Sequence, residues 1–140
     1  MRVLAVDPGE QRLGIALSDP TGTIANPLLV IKHTSRPVDA AVIVNLAQEN
    51  DAGLIIVGQA LDTDGQPSPQ GRRAARLAEA IQGQTDLRVV LWDESGSTIA
   101  ARQAMINMGV SRRKRRGHLD DLAATYILQT YLDAHSEAKS

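Results

Sequence analysis

Five carboxylates stand at positions where a chain of this kind does chemistry: Asp7, Asp93, Glu94, Asp120 and Asp121. Asp7 closes the apolar run Val3–Val6 and precedes Pro8-Gly9. Asp93 and Glu94 close a second apolar run, "RVVLWDE" at 88–94, and Asp120 and Asp121 open the helical pattern "HLDDLAATYILQTYLDAH" at 118–135. Acids crowded within a few ångströms disfavour joint ionisation unless a cation neutralises them. With oxygen donors only, and no cysteine or histidine beside Asp7 or Glu94, the fitting cation is Mg²⁺ or Mn²⁺ rather than zinc. Two such ions about 4 Å apart activate water and stabilise the leaving oxygen of a phosphodiester. Each acid also has an ordinary reading. Asp before Pro-Gly is turn chemistry, Asp120 at a helix start complements the helix dipole, and Asp93 or Glu94 caps the helix that follows.

Chemistry therefore depends on the elements that would collect the acids. "RVLAVDP", "RLGIALSD" (12–19) and "IANPLLVIK" (24–32) read as three antiparallel strands, with Pro27 marking an edge or bulge. Val38, Val42, Ile43, Leu46 and Ala47 recur at helical spacing, stopped by "NDAG" at 50–53. "GLIIVG" (53–58) reads as a strand buried on both faces, 59–71 as a loop, 72–83 as an Ala-rich helix, and 88–94 as a further strand. Residues 97–109 carry a Ser/Thr cap and a terminal Gly and read as a helix, followed by a basic loop and the last helix, with Leu119, Leu122, Ala123, Tyr126, Ile127, Thr130 and Tyr131 on its apolar stripe. The order is β-β-β-α-β-α-β-α-α, a single α/β domain over 1–135 with a tail at 136–140. Its mixed five-stranded sheet has three antiparallel N-terminal strands and two further parallel strands, flanked by helices. Strand ends in such a sheet form the crevice where ligands bind, so three separate elements bring acids to one place.

Composition narrows the field. The 140 residues carry no cysteine, which excludes a disulfide framework, a thiolate nucleophile and a Cys-based zinc site. The pattern at the start is not that of a signal peptide and no apolar run is long enough to span a membrane, so the expectation is a cytoplasmic protein with no membrane partner. Net charge is -1, yet Arg112, Arg113, Lys114, Arg115 and Arg116 hold five of the 15 basic residues, leaving 10 against 16 acidic residues elsewhere. The molecule is an acidic body with one basic segment close to Asp120, where a phosphate backbone would approach. Arg72, Arg73 and Arg76 either extend that surface or form an exposed helix face. His118 is a further metal-ligand or proton-transfer candidate, or a surface residue. Aromatics are only 2%, so recognition by stacked single-stranded bases is poorly supported, and Trp92 reads as packing.

Taken in order, "AVDPGEQRLGIALSD", "IIVGQALDTDG", "LWDES" and "HLDDLAATYILQTYL" resemble the YqgF or RuvX family of Holliday junction resolvase-like proteins over nearly the whole length. The resemblance implies an RNase H-like three-layer fold and a metal-dependent nuclease whose triad maps to Asp7, Glu94 and Asp120. It implies 5′-end processing of the 16S ribosomal RNA precursor, or cleavage of branched DNA, by a monomer or homodimer. Two departures bear on substrate contacts: Ser95 and Gly96 follow Asp-Glu where the family has Arg, and Asp62 stands where the family has Asn. They motivate a second class of reading, a binding module of the same fold without catalysis. A third, an ATPase of the actin or sugar-kinase kind, shares the Asp-x-Gly turn but needs a second domain to close on the nucleotide.

Overall fold

The computed structural model describes residues 1–59, 69–93 and 119–137. Strands β1 (Arg2–Pro8), β2 (Arg12–Ser18), β3 (Ala25–Lys32), β4 (Ala52–Gln59) and β5 (Arg88–Asp93) form one sheet in the order β3-β2-β1-β4-β5. Helices α1 (Arg36–Glu49), α2 (Pro69–Gln82) and α3 (Leu119–Glu137) flank it. β1 pairs antiparallel with β2 and β2 with β3, whereas β4 runs parallel to β1 and β5 parallel to β4. The expected architecture is thus observed, with β1 at its centre. The expected helix at 97–109 lies outside the described residues.

Pleating sends alternate residues of β1 and β4 to two cores. Leu4, Val6, Ile55 and Val57 pack with Ile43, Ala47, Leu77 and Ile81 of α1 and α2. Val3, Ala5, Leu54 and Ile56 pack with Ala124, Ile127 and Leu128 of α3. Because both faces are covered, these strands read as continuous apolar runs rather than alternating ones. β3 is an edge strand, and there Pro27 does what its missing N–H predicts: the register passes from Ile15↔Leu29 to Ala16↔Pro27, leaving Leu28 as the extra residue of a bulge.

Several boundaries and faces differ from the sequence reading. α2 begins at Pro69, three residues before the expected start, since proline at a first helical position loses no hydrogen bond. Val38, expected on the buried stripe of α1, is 45% exposed, while Ala40 and Val44 join Ile43 and Ala47 in the core. Ser35 caps α1 by accepting from the Val38 amide, and Asp51, at φ 54°, takes the left-handed position that ends it. α3 continues to Glu137, two residues into the expected tail.

Candidate active site

Asp7 sits at the carboxyl end of the central strand, half-buried between fully buried Val6 and buried Pro8. The chain then reverses through a tight turn closed by the Gly9 amide on the Arg12 carbonyl at 2.9 Å. A Cβ at Gly9 would lie 2.4 Å from that carbonyl oxygen, so the turn that directs β1 back into β2 admits no side chain there.

The pleat that puts Val3 and Ala5 beneath α3 puts Asp7 on the same face. Its cross-strand partner on β2 is Gly14, and the next register step beyond Val6↔Val57 sets Gly58 of β4 on its other side. The carboxylate is therefore flanked on both neighbouring strands by residues without side chains. Ile127 of α3 covers Gly58, so what suits Mg²⁺ or Mn²⁺ here is the carboxylate itself, a hard oxygen donor at the strand end.

β5 separates the two acids at its end. Val90 and Trp92 pack on the α3 core, whereas Val89 packs on the α1/α2 core. Alternation sends Asp93 to the α1/α2 face, opposite to Asp7. Glu94 lies outside the described residues, as do Arg112, Arg113, Lys114, Arg115, Arg116 and His118. Asp120 is located through the backbone of the first turn of α3. Among the described residues no three acidic, histidine or cysteine side chains gather in one place.

What the structure adds is the way α3 is fixed over the strand ends. The indole N–H of Trp92 donates to the Thr130 hydroxyl at 3.0 Å, and that hydroxyl donates to the Ile127 carbonyl at 2.7 Å. Trp92 also meets the Tyr131 ring edge-on, with centroids 5.1 Å apart. Ile127 fills the space over Gly58, where a Cβ would lie 2.6 Å from its Cδ1. On the other side of the helix Gln129 accepts from the Ala25 amide at 2.9 Å and donates to the Thr23 carbonyl at 3.1 Å. Rotation and height of α3 are thereby set from both sheet edges, and Asp120 stands two helical turns before Ile127.

The sequence reading missed two contacts, one of them made by Arg73, which that reading names only as part of a basic surface or an exposed helix face. His33, read as carrying no signal, pairs through Nδ1 with the carboxylate of buried Asp39 at 2.5 Å. Arg73 of α2 reaches Glu10 in the β1–β2 turn at 3.7 Å. Neither contact has a motif: the first spans six residues across the connection from β3 to α1, and the second joins α2 to the β1–β2 turn.

No helix among the described residues is long and apolar enough to cross a membrane. A family model described as "RuvX: Holliday junction resolvase" matches residues 1–134. A protein of Clostridium beijerinckii named "Putative pre-16S rRNA nuclease" is 38% identical over 133 residues, covering 95% of this chain and 96% of its own. A relative of the same name from Thermoanaerobacter pseudethanolicus is 38% identical over 135 residues, covering 96% and 97%. Among solved structures, Thermus thermophilus RuvC in complex with a Holliday junction superposes with a TM-score of 0.61 at 16% identity, covering 97% of this chain and 96% of that one. The fowlpox virus Holliday junction resolvase gives 0.61 at 18%, covering 96% and 99%. These two establish the RNase H-like fold, and the sequence relatives and the family model together place the chain in the RuvX family of nucleases, phosphodiester hydrolases by class.

Proposed function

We propose that the chain is a metal-dependent nuclease that cleaves phosphodiester bonds in structured nucleic acid, with 5′-end processing of pre-16S rRNA as its physiological task. The observation that carries this reading is Asp7: a carboxylate at the end of the central strand, aimed at the face of α3 and bordered by Gly14 and Gly58. The names borne by relatives at 38% identity over nearly the whole chain support the substrate.

Asp7, Glu94 and Asp120 are the proposed metal ligands. Asp93 points to the opposite face, which leaves Glu94 as the member of the pair suited to meet Asp7. When bound, Mg²⁺ or Mn²⁺ would supply Lewis acidity and an activated water, in a one- or two-ion arrangement. The protein's own part is to hold three acids from three elements at fixed separation, through the Gly9 turn and the Trp92–Thr130 bond. Arg112, Arg113, Lys114, Arg115 and Arg116 would hold the phosphate backbone, sequence-independently.

Cleavage of branched DNA is the second reading, favoured by the fold shared with junction resolvases and by the family's description. A non-catalytic binding module is the third, favoured by Ser95, Gly96 and Asp62. Calorimetric titration of Mn²⁺ into the wild type, Asp7→Asn, Glu94→Gln and Asp120→Asn tests the ligand set. Each variant is expected to weaken metal binding and to lower cleavage by about a hundredfold or more. Unchanged binding in Asp7→Asn would remove Asp7 from the set.

A further inference from the structure

Behind the hairpin, on the face of the sheet away from Asp7, the described residues line a half-open cavity of about 330 Å³. Pro8 and Gly9 form one wall, so the cavity begins where the Asp7 strand ends. Arg73, Arg36, His33 and the start of α1 at Ser35 and Pro37 form the others.

Three features of this wall converge on an anion. Arg73 projects from α2 with its side chain 36% exposed yet its Nη1 buried and lacking any hydrogen-bond partner, while its Nη2 makes only the long 3.7 Å approach to Glu10, which is 82% exposed. A buried guanidinium nitrogen without an acceptor is costly, and phosphate is the acceptor that its fork geometry matches. The amino end of α1, a 14-residue helix, lines the same space; Ser35 already accepts from the Val38 amide there, so the helix adds what remains of its dipole. His33 is the third: Asp39 accepts from its Nδ1–H, which fixes the ring, and in the imidazolium form the remaining Nε2–H is a donor to an anion. The acid within the cavity, Asp39, is already engaged through both oxygens. One oxygen accepts from the Thr34 amide at 3.0 Å and the other is paired with His33.

We propose that this cavity is a phosphate-binding subsite that seats one phosphate of the nucleic acid strand, behind the hairpin from the Asp7 centre. This rests on the nucleic-acid reading of the preceding subsection. The phosphate is either a terminal 5′ group or an internal diester, since both present the same oxygens to Arg73, Arg36 and His33.

The test uses the full-length isotope-labelled protein without divalent metal, titrated separately with inorganic phosphate, a 5′-phosphorylated oligoribonucleotide and its 5′-hydroxyl counterpart. Saturable amide shifts are expected at Gly9, His33–Arg36 and Arg73 with phosphate and with oligonucleotide. Arg73→Gln is expected to weaken both by about tenfold, the effect of removing one charge-assisted hydrogen bond. Arg36→Gln, at an exposed position, is expected to act in the same direction and serves if Arg73→Gln does not fold. A preference of about tenfold for the 5′-phosphorylated strand would assign a terminal phosphate, and equal binding an internal one. Phosphate shifts without any oligonucleotide binding would keep the subsite and overturn the nucleic-acid reading. Oligonucleotide binding that leaves these amides unmoved and is insensitive to both variants would overturn the subsite alone.

Discussion

Asp7 and Asp19 are chemically the same residue in opposite settings. Asp7 stands at the carboxyl end of the central strand with glycines to either side; Asp19 closes the turn between β2 and β3 and is surrounded by donors. It accepts from the amides of Ile24 and Thr23 at 2.9 and 2.8 Å and from the Thr21 hydroxyl. The Ile24 amide is the largest of these influences, and together they hold the Asp19 carboxyl well below the usual carboxylate range. A depressed folded-state value means that the ionised form is favoured by folding. The contribution is therefore complete above the ordinary carboxylate range and is lost as pH falls through the folded value. Asp19→Asn should melt below the wild type at neutral pH, with the gap closing as strong acid is approached. Melting curves across that range check this, and a gap independent of pH would show that the carboxylate's charge contributes nothing. In sequence both are an Asp before Pro near the end of an apolar run, and only their neighbours differ: Val6 and Pro8-Gly9 around Asp7, Ser18 and Pro20-Thr21 around Asp19.

At the scale of elements, strands were legible where side-chain type alone decides them. "VLAV" and "LIIV" are doubly covered and uniformly apolar, and Pro27 announces an edge bulge. Helix faces were less legible. Val38 is apolar yet exposed, because the stripe facing the sheet is fixed by how α1 lies across it and not by hydrophobicity alone. The Trp92–Thr130 bond joins residues 38 apart in sequence and leaves no local trace, although it ties α3 to β5 two residues before Glu94. Thr130→Val removes the acceptor and leaves the half-buried indole N–H unpaired, at a cost of about 1 kcal/mol. Denaturant unfolding measures that loss. If the bond also positions the acids, the variant will need more metal for half-maximal cleavage; an unchanged metal requirement would confine the bond to stability.

Taken whole, the molecule divides its labour by face and by charge. Two aliphatic cores clamp one sheet, and the strand carrying Asp7 runs between them. Outside the Arg112–Arg116 run the chain is acidic, so polyanion binding has to concentrate on that run and on cations near the hairpin. Replacing Arg112, Arg113, Lys114, Arg115 and Arg116 by Gln should weaken binding to all sequences alike. The slope of log affinity against log salt should fall by about one for each phosphate no longer neutralised. An unaltered slope would place the phosphate-binding cations elsewhere. Whether Asp7 belongs to a metal-dependent phosphodiesterase centre is decided by a single cleavage experiment. Labelled pre-16S-type RNA and a four-way DNA junction are incubated side by side with Mg²⁺, Mn²⁺ or chelator, using the wild type and Asp7→Asn. The expected result is metal-dependent cutting of the RNA by the wild type, abolished by chelator and by the substitution with the fold intact. Undiminished cutting by Asp7→Asn, or binding of both substrates with no cutting under either metal, would contradict that assignment.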